Sequence, residues 1–118
     1  MNIDDFFVGY ENARPIFEAV LQAVGGIGAT ELHVTKSQIA FRRHRAFAWV
    51  WVPGKYLTGQ IAPLVLTIAL RRRDTSPRWK EVVEPAPGRF THHLEVRTVE
   101  EVDNEVARWL TEAWSIAG

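Results

Sequence analysis

The chain has 118 residues, with 14 lysines and arginines against 14 aspartates and glutamates, and no cysteine. This is the length of one domain, spanning residues 1–118, and it suffices to bury about 65% of the unfolded chain's surface without a disulfide or metal staple. The missing cysteines exclude a disulfide framework, a thiolate-bound zinc and a cysteine nucleophile, and a composition 47% hydrophobic and 24% charged excludes a disordered chain.

Ile3–Phe7 reads as a short helical turn closed by Gly9. Residues Asn12–Val24 read as a helix, because Ile16, Phe17, Val20, Leu21 and Val24 fall on one apolar face. Pro15 sits in its first turn, where a missing N–H costs little, and Gly25-Gly26 stops it. Glu31–Val34 reads as a short strand. Gln38–Arg43 alternates, with Ile39 and Phe41 opposite Gln38, Ala40 and Arg42. His44-Arg45 is the expected turn into a second strand, Ala46–Val52, with Phe47, Trp49 and Trp51 on one face and Ala48, Val50 and Val52 on the other. Apolar residues on both faces predict a central strand in a covered sheet. Leu64–Leu70, Trp79–Val83 and Phe90–Val96 are further strands, the last two separated by Pro85–Gly88.

The C-terminal helix is the clearest element. Thr98 and Glu101 form a capping box, and Val102, Val106, Trp109, Ala113 and Ile116 form an apolar stripe widened by Leu110 and Trp114. The predicted fold is therefore α+β: N-terminal helices, an antiparallel sheet of about five strands, and a long C-terminal helix packed on the sheet. Met1–Asp5 is acidic and lacks the basic and apolar regions of a secretory signal. The longest apolar run, Ala46–Pro53, falls far short of the ~20 residues that cross a bilayer. A cytoplasmic protein with no membrane partner is expected.

The balanced charge conceals a segmental pattern. Residues 1–31 carry Asp4, Asp5, Glu11, Glu18 and Glu31 against Arg14, a net of −4, and residues 98–118 again net −4. The segment between them nets +8. Such asymmetry describes surface potential. Two basic clusters stand out: Arg42, Arg43 and Arg45 around His44, and Arg71, Arg72 and Arg73 with Arg78 nearby. If Ala46–Val52 pairs with Leu64–Leu70, the two clusters meet at one end of the sheet. Guanidinium forks bind phosphate or carboxylate through two parallel hydrogen bonds. Trp79 beside Arg78 and Tyr56 beside Lys55 offer stacking surface for bases. The competing readings are solvated edge protection and pairing with the chain's own acidic helices.

His92-His93 is the most suggestive titratable pair. Neighbours in a strand point to opposite faces, so His92 shares the apolar face with Phe90, Leu94 and Val96, while His93 lies with Thr91 and Glu95. A candidate pocket is drawn from His92, His93, Glu95 and Trp79, with His93 as a base or ligand oriented by Glu95 or by a neighbouring strand. The alternative makes His92 a hydrogen-bonded core residue and His93 a surface one. Most of the five tryptophans are expected in the core. Gly25–Gly28 follows a helix and precedes a strand, the reverse of a dinucleotide fingerprint. No nucleophile elbow, phosphate loop or zinc-protease pattern occurs. No catalytic residue, metal ligand or cofactor is assigned.

Thr35–Phe41, Phe47-Ala48, Thr91–Leu94 and Glu101–Trp114 together resemble the bacterial domain-of-unknown-function family numbered 5655, in order and over nearly the whole chain. Some members of that family begin with a cysteine-and-histidine zinc module, which this sequence lacks. The resemblance supports the fold and implies no mechanism. The leading expectation is a non-catalytic binding module whose basic sheet recognises an anionic partner, nucleic acid first. The alternatives are a self-associating homodimer and a small-molecule or enzymatic site near His93 and Glu95.

Overall fold

The structure, a computed structural model, describes residues 1–118. In chain order it contains a short helix Ile3–Phe6 (α1), a helix Arg14–Gly25 (α2), strands Glu31–Val34 (β1), Ile39–Arg42 (β2), Ala46–Trp51 (β3), Leu64–Leu70 (β4), Glu81–Ala86 (β5) and Arg89–Val96 (β6), and a helix Asn104–Ile116 (α3). The strands form one antiparallel sheet of order β1-β2-β3-β4-β6-β5. The fold is α+β as expected, with six strands. No helix is long and apolar enough to cross a membrane.

All seven residues of β4 are buried, because it lies between β3 and β6 in the middle of the sheet. Leu64, Leu66, Ile68 and Leu70 point to the helices. They meet Val106, Trp109, Leu110 and Ala113 of α3, and Ile16, Phe17, Val20 and Val24 of α2, in one core. Phe6, Phe7, Phe17, Phe41 and Phe47 run through it with successive ring centroids 4.9 to 6.5 Å apart. The core helices lie on one face only, so the second face of the sheet has no helix over it. β3 is an interior strand, as expected, but only its helix-packed face is covered: Trp49 and Trp51, opposite Thr67 and Val65 of β4, are half-buried on the uncovered face.

Phe47 does not share that face. Phe41 pairs with Ala48 and Arg42 with Ala46, so Phe47 is the extra residue of a β-bulge. The bulge turns its ring into the core, where it is 1% exposed. The strand predicted at Trp79–Val83 begins instead at Glu81 and runs through Pro85, which a sheet edge tolerates because one side of the strand needs no N–H donor. The capping box of Thr98 and Glu101 is present, but it closes the 3₁₀ turn Val99–Glu101. α3 starts three residues later, where the Asp103 carboxylate accepts from the Val106 amide at 3.1 Å.

Candidate functional site

Antiparallel pairing places the start of β3, the end of β4 and the start of β6 at one end of the sheet: Ala48 lies opposite Ile68, and Leu70 opposite Phe90. Arg45, Arg71 and Arg89 therefore converge. They line a cavity of about 300 Å³ between this end and the last turn of α3, with Phe47, Leu70 and Ile116 among its apolar residues. All three arginines are exposed, none makes an ion pair or a side-chain hydrogen bond, and the lining has no acidic residue. Arg73, with its guanidinium carbon 5.2 Å from the Phe90 ring centre, extends the basic surface.

The other predicted arginines are engaged elsewhere. Arg72 donates two hydrogen bonds of 2.9 Å to Glu112 of α3 and one of 2.7 Å to Asp74. Arg78 donates to Asp103 at 3.1 Å, Glu105 at 2.8 Å and the Glu101 carbonyl at 3.0 Å. Their charges are thus met by the acidic C-terminal segment. Arg43 lies 3.6 Å over the Trp114 ring and donates to the Trp114 carbonyl at 3.2 Å, offsetting the negative end of the α3 dipole. Arg42 stands across from Glu31 of β1.

The candidate pocket of His92, His93, Glu95 and Trp79 is divided by the sheet. His92 is fully buried on the helix-packed face, its ring 4.9 Å from that of Trp79, which stacks 4.2 Å from Trp109. His92 Nε2 accepts from the Asp74 amide at 3.0 Å, so the neutral ring carries its proton on Nδ1, which faces the Ile68 carbonyl at 3.3 Å. Burial pushes the His92 pKa below its ordinary value. This histidine holds the loop between β4 and β5 against the core. Asp74 in that loop also accepts from Trp79 Nε1 at 2.8 Å. Burial alone would raise the Asp74 carboxyl, but the bonds from Trp79, Arg72 and Ser76 outweigh it and hold the carboxyl below the usual range.

His93 occupies the uncovered face. Its Nδ1 lies 2.7 Å from Thr67 Oγ1, so β4 orients the ring, whereas Glu95 turns to Lys80 at 3.4 Å. Burial lowers the His93 pKa against the opposing effect of Glu81 across the ladder. A groove of about 360 Å³ runs over this face, lined by Gln38, Trp49, Trp51, Thr67, Pro85, Arg89, Thr91 and His93. Arg89 belongs to both cavities. No group of three or more His, Asp or Glu side chains is placed to hold a metal ion.

The model of the family described as domain of unknown function (DUF5655) matches residues 3–117. The chain belongs to the DUF5655 family. No curated protein matches it, and no solved structure does.

Two features of this DUF5655 domain escaped the sequence reading. Arg89 is a lone arginine beside the Pro87-Gly88 turn, where Gly88 takes φ +75°. Its signal was positional: the residue that opens β6 shares a sheet end with the residue that follows β4. The Trp49–Thr67–His93 row was hidden because its members lie on three strands and meet only through pairing.

Proposed function

We propose that this DUF5655 domain is a non-catalytic binding module that takes an anionic partner, nucleic acid foremost, at the Arg45–Arg71–Arg89 end of its sheet. The observation that carries the reading is the convergence of three unpaired guanidiniums on one cavity without an acidic residue in its lining. Forked donors suit phosphate oxygens, and no carboxylate in the lining competes for them. The pairing of Arg72 and Arg78 with α3 explains how a chain of zero net charge retains a basic surface.

Three phosphate contacts to a single strand imply a slope of about −2 in log affinity against log salt, or about a 20-fold loss between about 50 and 200 mM. The test is fluorescence anisotropy of a labelled oligonucleotide at both salt concentrations, with Arg71→Glu beside Lys36→Glu, an exposed lysine outside the cavity. Arg71→Glu should abolish binding while Lys36→Glu leaves it nearly unchanged. No binding at low salt, or equal losses in the two variants, overturns the reading.

A further inference from the structure

The uncovered face of the sheet carries a row of paired residues that crosses every strand: His33, Ala40, Trp49, Thr67, His93 and Glu81. At its centre Trp49 and Trp51 stand half-buried with no helix above them. Tyr56, 57% exposed, extends the aromatic surface, its ring 6.5 Å from that of Trp51. The groove they border contains no acidic side chain. The indole N–H groups of Trp49 and Trp51, the Gln38 amide, His93 Nε2 and the Arg89 guanidinium make no hydrogen bond within the protein. No side-chain nitrogen or oxygen is buried without a partner, so each of these groups reaches solvent.

We infer that this groove is a base-stacking subsite, and that the nucleic acid held at the arginine end is bound as a single strand. The inference rests on the anion-binding reading of that end. Indole faces stack on any nucleobase, and the indole, amide and guanidinium donors around them match the carbonyl and ring-nitrogen acceptors on base edges. Arg89 lines both the groove and the arginine cavity, so a strand whose base sits between Trp49 and His93 continues past Arg89 toward Arg45 and Arg71. A duplex keeps its base faces stacked inside the helix and can offer this surface only phosphates. The groove volume, about 360 Å³, is at the small end of ligand sites and suits one ring rather than a folded macromolecular segment.

The experiment compares a labelled oligothymidylate of about ten nucleotides, the same strand in a duplex, and inorganic polyphosphate as a polyanion without bases. The single strand should bind at least about tenfold tighter than the other two and quench the intrinsic tryptophan fluorescence, which polyphosphate should not. Trp49→Leu should lower single-strand affinity by about tenfold with polyphosphate affinity unchanged, and Trp49→Phe, which keeps an aromatic face, should retain most of the binding. Equal affinity for the three polyanions, with no quenching, overturns the stacking subsite and leaves the arginine end standing. Unchanged single-strand affinity in Trp49→Leu does the same. Absence of binding by all three at low salt removes the arginine reading, and the subsite falls with it.

Discussion

Replacing Asp74 with alanine should unfasten the segment between β4 and β5. The carboxylate accepts from Trp79 Nε1 at 2.8 Å, from the Ser76 amide at 3.0 Å and from Arg72 Nη1 at 2.7 Å. Trp79 is 9% exposed, so its indole N–H loses its acceptor where water has little access, a cost of about 1–3 kcal/mol. Arg72 keeps both bonds to Glu112 and is half exposed, so the lost ion pair adds at most about 1 kcal/mol. The Ser76 amide adds about 0.5 kcal/mol. The total is about 2–4 kcal/mol. At an unfolding entropy of about 2.1 cal/mol/K per residue, each kcal/mol moves Tm of a chain this size by about 4 °C. Thermal unfolding followed by near-UV circular dichroism should therefore show Asp74→Ala melting about 8–16 °C lower. Asp74→Asn keeps one carbonyl acceptor and should recover about half of the loss. A shift below about 3 °C for Asp74→Ala would refute the argument and assign the loop's anchoring to the Trp79–Trp109 stack instead.

Stability should also fall on mild acidification. His92 and His93 both have folded pKa values held below the ordinary value by burial, so the unfolded chain takes up protons from about pH 6.5 downward while the folded chain does not. Their contribution is complete above about pH 6.5 and is lost as the pH falls through the folded values; a urea midpoint that stays flat between about pH 7.5 and 5 would contradict this. Phe47→Ala should cost about 3–5 kcal/mol in urea unfolding, because the bulge turns its ring into the core, whereas Trp49→Phe on the uncovered face should cost less than about 1.5 kcal/mol. Similar costs for the two would mean that Phe47 shares the tryptophan face.

The helices and most strands were legible because each is written in a local pattern. The stripe from Val106 to Ile116 and the alternation of Ile39 and Phe41 require only neighbouring residues. The opposite facing of His92 and His93 was legible for the same reason, since strand alternation alone decides it. The bulge at Phe47 was not, because it arises from the offset between two strands. The start of α3 was misplaced because two capping signals lie five residues apart, at Thr98 and Asp103, and the chain uses the first for a 3₁₀ turn.

By itself the sequence determined the α+β class, the principal elements and the two reserves of opposite charge. Tertiary structure decided which charges remain available. Arg72 is neutralised by Glu112, 40 residues away, and Arg78 by Asp103 and Glu105, while Arg45, Arg71 and Arg89 are brought together by strand order and meet no acid. It also decided which tryptophans are core, by placing α2 and α3 on the same face of the sheet. The physical reason is common to both. Helical and strand patterns are properties of adjacent residues, whereas neutralisation and burial are pairwise properties, set only when distant segments pack.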